Sequence, residues 1–204
     1  SLAGLCQATG PAASGRIYLS QVICRRCAAR CLAASLYKRI NEQRMSIDEG
    51  IYTAIRSAQR GDLIASALVR PGFDLMEARR RLVWCRNSDC AWYLYWEESN
   101  VLGWVLVSWQ GKETAPKYPD MFDLYVRQDS RGRGIGTQLI YFCEEMASKW
   151  GFKKIGLTVN HIANPRALAL YQRLGYRVIS TAPYLDEVYE GVEDWVVDME
   201  KALE

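Results

Sequence analysis

The stretch Arg131-Gly132-Arg133-Gly134-Ile135-Gly136-Thr137 decides how this chain is read. The apolar run Met121–Val126 before it reads as a strand, and Gly134–Trp150 after it reads as a helix. Unpaired N–H groups at a helix N-terminus, with the helix dipole behind them, favour an anion. Glycine lets backbone come close to that anion. The turn is therefore expected to be a phosphate site, with Arg131 and Arg133 adding positive charge beside it. Other readings compete. It could be a plain tight turn. The spacing Gly132-x-Gly134-x-Gly136 departs from the dinucleotide fingerprint, and the Gly-Lys-Ser/Thr ending of a P-loop is absent.

Working outward, Ile51–Arg56 reads as a strand, and Gly61-Asp62 opens a short helix through Leu68 that ends before Pro71. Asp74 is a natural N-cap for a helix running to about Cys85. Trp92–Glu97 and Val101–Trp109 form a hairpin about Ser99-Asn100. A polar loop, Gly111–Pro119, follows. Beyond the glycine turn come a strand at Lys154–Val159 and a helix at Pro165–Leu174, with proline in its first turn and Gly175 at its end. Tyr176–Ser180 and Asp194–Met199 are closing strands. Strands alternating with helices after an initial hairpin predict an α/β fold with a mixed sheet.

Composition sets broad limits. Of 204 residues, 50% are apolar and 24% charged, as in an ordinary globular chain. A net charge of +3 gives no argument for nucleic acid. No apolar run is long enough to span a bilayer, so no membrane role is expected. Residues 1–44 are basic, rich in Ala, Arg and Cys, and almost free of acids. They read as a leader or extension, either a transit segment or a tag or upstream region, with Ile23–Ile40 a candidate helix. The functional domain is expected over 45–204, from Met45. Cys24-x-x-Cys27 with Cys31 resembles half a zinc site, but a second pair is missing and the only histidine, His161, is far away; no metal is expected. Unpaired cysteines suit a reducing cytoplasm.

Two further patterns carry a resemblance. Leu124-Tyr125-Val126 followed by Arg131-x-x-Gly134-x-Gly136 resembles the acyl-CoA signature of the GNAT N-acetyltransferase superfamily. Asn164-Pro165-Arg166-Ala167-Leu168-Ala169-Leu170-Tyr171-Gln172-Arg173-Leu174-Gly175-Tyr176 resembles its second signature. They stand in family order with a strand between them. The resemblance covers roughly 50–200 and is strongest over 121–176. It implies a mixed central sheet with a splayed strand pair, flanked by helices. Acetyl-CoA is the implied co-substrate. Leu124, Tyr125 and Val126 would meet its pantetheine arm, and Arg131, Gly132, Arg133, Gly134, Ile135, Gly136 and Thr137 its pyrophosphate. Asn164 would lie near the arm, and Tyr171 would protonate the leaving thiolate.

The chemistry needs a neutral amine, a polarised carbonyl and help for the departing sulfur. A tyrosine suits the last task; the alternative for Tyr171 is a core aromatic of an amphipathic helix. Asp123 is the candidate base and Asp120 its alternative; either would act through water or only attract a cationic substrate, and Asp120, Glu193 and Asp194 are the candidate substrate-binding residues. Phe122 stands where many small-amine members carry another acid, and solvent alone could take the proton. Asp186, Glu187, Glu190, Glu193 and Asp194, with Trp195, fall where family members build an acceptor wall. They are either a solvated acidic face or a cleft for a cation. The expected function is therefore acetyl transfer to a small cationic amine, polyamine- or aminoglycoside-like, which would include antibiotic modification, by a monomer or homodimer. The alternatives are a protein N-terminal or lysine acetyltransferase and a non-catalytic acyl-CoA sensor.

Overall fold

A computed structural model of the chain describes residues 54–111, 118–189 and 191–204. Residues 1–53, which include the leader with its half zinc site and the first half of the first expected strand, the centre of the loop 111–119, and Glu190 lie outside the described residues. β1 (Ile55–Ser57) leads to α1 (Leu63–Ala67) and α2 (Leu75–Asn87). Asp74 caps α2 as expected, accepting from the Glu77 N–H at 2.8 Å. β2 (Cys90–Glu97) and β3 (Asn100–Ser108) form the hairpin, β4 (Asp120–Val126) follows, and the glycine turn enters α3 (Ile135–Lys149). β5 (Lys154–Asn160), α4 (Pro165–Arg173), β6 (Arg177–Val178), β7 (Tyr184–Tyr189) and β8 (Val192–Ala202) complete the order.

The strands join one sheet in the order β1-β2-β3-β4-β5-β8-β6, with β7 also on β8. All neighbours are antiparallel except β4 and β5. β3 is the spine. Leu102, Val105 and Val107 pack under α3, against Ile135, Leu139, Ile140 and Cys143. Val101, Trp104 and Leu106 pack with Phe73, Ala78 and Leu82 of the α1–α2 layer. Burial on both faces explains why this strand reads as a nearly unbroken apolar run. Each fully buried large side chain contributes about 1.5–3 kcal/mol of transfer free energy.

The structure departs from expectation in three places. The hairpin turn falls one residue earlier, since Asn100 already pairs with Glu97 and Glu98 takes the positive φ of 53°. The first closing strand is shorter than expected. An additional strand, β7, occupies part of what reads as an acidic stretch. No helix among the described residues is long and apolar enough to cross a membrane. Among those residues no group of three or more His, Cys, Asp or Glu could hold a metal ion.

Under α3, buried Glu144 accepts from the Tyr176 hydroxyl at 2.9 Å and from Lys201 Nζ at 2.7 Å. Burial, with the Glu144 charge added, pushes the Tyr176 phenol up, and burial pushes the Cys143 thiol up. Tyr171, on α4, is pushed by burial to about 12. Unfolded, a thiol ionises near about 8.5 and a phenol near about 10. Above those values the unfolded chain releases protons that the native one keeps, so stability falls as pH rises, by about 1.4 kcal/mol per pH unit per group. The melting temperature should thus hold to about pH 8.5 and decline steeply beyond about pH 10. A flat profile to pH 11 would contradict this burial.

Candidate active site

Strands β4 and β5 pair only at Asp120–Gly156 and Met121–Leu157. Beyond Met121 the pair splays. On its other side β4 stays bonded to β3, and the Arg127 N–H donates to the Leu102 carbonyl at 2.8 Å. Backbone groups alternate in direction along a strand, so those of Val126 and Leu124 point away from β3, into the gap. The Val126 carbonyl there accepts from Arg131 Nε at 3.1 Å. A bulge lies at the same place: the β3–β4 register shifts between Trp104 and Leu106, opposite Asp123 and Leu124, and Asp123 has φ +44°.

At the end of β4 the glycine turn does what its residue types require. Gly132 and Gly134 take φ +79° and +82°, in the left-handed region that other residues avoid. Gly134 is the N-cap of α3 and supplies no side-chain cap. The first-turn N–H groups of the helix are thus left for an anion. A Cβ on Gly136 would rest 3.7 Å from Val126 Cγ2, so the turn lies against the strand that opens the gap. Of the flanking arginines, Arg131 lies over the Tyr125 ring at 5.3 Å. Arg133 is paired with Glu97 at 2.5 Å, which spends part of its charge on the rim.

A cavity of about 480 Å³ sits at the splay. Leu124, Asn164, Ala167 and Tyr171 line it, together with the carboxylates Asp123, Asp186, Glu187 and Asp194. Tyr171 is buried and meets Tyr176 edge-on at 5.9 Å. Asn164 is the N-cap residue of α4, and its carbonyl accepts from the Ala167 and Leu168 N–H groups at 3.0 and 3.1 Å. Asp120 and Glu193 are not among the lining residues. Asp120 lies where β4 still pairs with β5, and Glu193 accepts from Trp195 Nε1 at 2.7 Å. His161 lies in the turn after β5 and its Nδ1 is buried without a hydrogen-bond partner.

Asn160 is a lining residue that the sequence reading passed over. Its Oδ1 accepts from the Ile162 and Ala163 N–H groups at 3.0 and 2.7 Å, shaping the turn into α4. Its Nδ2 donates to Asp194 Oδ1 at 2.5 Å. One amide thus fixes a cavity carboxylate and the start of the Tyr171 helix. Asn at a strand end, before Asn164-Pro165, was the signal available for it.

The model of the acetyltransferase (GNAT) family matches residues 53–176. No curated protein matches the chain. Among solved structures, an N-acetyltransferase from Staphylococcus aureus Mu50 superposes with a TM-score of 0.60 at 18% identity, covering 74% of this chain and 98% of that one. A ribosomal-protein-alanine N-acetyltransferase from Brucella melitensis gives 0.56 at 19%, covering 73% and 99%. The structure of yncA from Salmonella typhimurium with its cofactor acetyl-CoA gives 0.58 at 18%, covering 74% and 93%. At such identity these likenesses concern the fold. With the splayed strands, the glycine-opened helix and the family match over residues 53–176, the chain belongs to the acetyltransferase (GNAT) family, the acetyl-CoA-dependent N-acetyltransferases.

Proposed function

We propose that the chain moves the acetyl group of acetyl-CoA to a primary amine of a small cationic acceptor, by direct attack and without a covalent enzyme intermediate. One observation carries this reading: the cavity that meets the unpaired edge of β4 and Tyr171 also holds Asp186, Glu187 and Asp194, and among the described residues no Lys or Arg lines it. A cleft of one sign concentrates ligands of the other.

The residues present fit acetyl-CoA. The N–H groups from Arg133 to Thr137 would hold its pyrophosphate. The backbone of Leu124 and Val126 would take the pantetheine arm as an added strand, beside Tyr125 and Asn164. Acetyl-CoA supplies the activated thioester. Tyr171, with its phenol at about 12, keeps its proton at neutral pH and is a donor to sulfur. Asp186, Glu187 and Asp194 hold the acceptor's charged groups, and the attacking nitrogen loses its proton to water.

Thiol release with a panel of amines tests this. Di- and polyamines and aminoglycosides should exceed monoamines in kcat/KM by at least about tenfold, an advantage that shrinks with salt. Asp194→Asn keeps an acceptor oxygen for Asn160 and removes charge. It should raise the acceptor KM about tenfold and leave the acetyl-CoA KM alone. Turnover with peptide N-termini or lysines alone would move the acceptor to proteins. Acetyl-CoA binding without turnover of any amine would leave a sensor.

A further inference from the structure

Asp123 occupies a place in this site that its expected role as base does not explain. Its backbone is left-handed, at φ +44°, a conformation that Asp and Asn tolerate better than other side chains. It sits in the bulge beyond which β4 leaves β5. Its carboxylate is paired with the α1–α2 layer: Arg70 Nη1 donates to Oδ1 at 2.8 Å, and Oδ2 lies 2.5 Å from Arg81 Nη2 as an ion pair without hydrogen-bond geometry. Those guanidiniums are themselves held by aromatic rings. Arg70 lies 5.3, 5.5 and 5.7 Å from the ring centres of Phe73, Trp104 and Tyr125. Arg81 lies 4.6, 5.5 and 5.2 Å from those of Phe73, Trp92 and Trp104. The Arg81 side chain is only 12% exposed.

Two features of this arrangement oppose a proton-accepting role. Both carboxylate oxygens face the α1–α2 layer, whereas Tyr171 belongs to the α3–α4 layer. The cluster also carries two positive charges against one negative, so it offers a cationic acceptor no net attraction. It does form a rigid strut. A guanidinium already fixed on aromatic faces pairs with a carboxylate at little entropic cost, and Arg70 adds a directional hydrogen bond. The strut ends on the one residue whose backbone turn sets the direction of Leu124.

We propose that Arg70 and Arg81 are positioning residues acting through Asp123, and that Asp123 anchors the bulge rather than taking the amine's proton. The cluster holds the Leu124 backbone in the direction that the pantetheine arm and the acetyl carbonyl need. This rests on the acetyl-transfer reading of the site, so the wild-type chain is first shown to bind acetyl-CoA by calorimetry and to release thiol. Failure of either sinks that reading, separately from this one.

The decisive variant is the charge-balanced pair Asp123→Asn with Arg81→Met. Asn accepts the left-handed backbone but not a proton and keeps an amide oxygen for Arg70, and Met refills the Arg81 slot among the rings, so the cluster's net charge is unchanged. The pair should raise the acetyl-CoA KM about tenfold and keep kcat within about fivefold. The acid limb of kcat/KM, set by the amine's own deprotonation, should stay in place. Arg81→Lys should recover part of the acetyl-CoA KM relative to Arg81→Met. A kcat loss of about a hundredfold or more with the acid limb removed and the acetyl-CoA KM unmoved would restore Asp123 as the base. A lowered melting temperature with kcat and both KM values unchanged would reduce the cluster to a structural prop and equally overturn the proposal. If the pair does not fold, Arg70→Lys, at the more exposed arginine, is read by the same KM and pH criteria.

Discussion

Gly134→Asp is expected to weaken coenzyme A binding at least about a hundredfold relative to Gly134→Asn. The two replacements are nearly isosteric, and both tolerate the left-handed backbone that Gly134 adopts at φ +82°. Among the described residues nothing lies within 4 Å of a Cβ placed there, so neither replacement is blocked at its Cβ. Strain of about 1–2 kcal/mol is therefore common to both and cancels in the comparison. What remains is one negative charge at the start of α3, where first-turn N–H groups would receive a pyrophosphate. Like charges about 4 Å apart at an effective dielectric of about 20 repel by about 4 kcal/mol, and screening by solvent and salt leaves about two-thirds of that. The same charge is favourable for the helix itself, because an N-cap carboxylate satisfies orphan N–H groups and faces the positive end of the dipole. Gly134→Asp should thus melt no lower than Gly134→Asn while binding coenzyme A far more weakly. Equal affinities by calorimetry would remove the pyrophosphate from this turn.

What was legible in the sequence follows from where information is local. The start of α3 at the glycine turn, the Asp74 cap, and each end of α4, at Pro165 and at Gly175, depend on residues close in the chain, and these helix ends fall where expected. β7 was not legible. Asp186 and Glu187 are adjacent, so the alternation of an edge strand is broken, and the β7–β8 register shifts between Leu185 and Glu187. The hairpin turn was expected about Ser99-Asn100 from turn-forming residue types, whereas Glu98 takes the left-handed position one residue earlier. The clamp on Asp123 lay beyond sequence reading altogether. Arg70 is far from Asp123 in the chain, and Arg81 is the last of the run Arg79-Arg80-Arg81, nothing in which marks one member as buried. Asp123 itself was visible as a carboxylate beside a CoA-binding strand. Whether a carboxylate faces a substrate or two guanidiniums depends on tertiary packing, and a list of residue types does not contain that.

Tyr171→Phe should lower kcat about a hundredfold, the usual scale for losing a positioned acid, with little change in either KM. The ring stays: Phe still packs edge-on to Tyr176 and within the α3–α4 core, so the melting temperature should barely move. The pH dependence follows from burial, which holds the phenol at about 12. The acid form is the active one, so activity attributable to it declines only as pH passes about 12, beyond the range of an assay. The wild type therefore owes no basic limb below about pH 10 to this residue, and the variant's rate should lie parallel beneath it from about pH 6 to 9.5. Thiol acidity gives the sharper readout. A thiolate that is already a good leaving group needs no proton, so acetyl thioesters of progressively more acidic thiols should narrow the gap between Phe and Tyr. A truncated donor also loses binding energy, but it loses it in both enzymes, and the ratio is free of that loss. Equal kcat in the two proteins, or a gap that stays constant as the thiol becomes more acidic, would leave Tyr171 as packing alone.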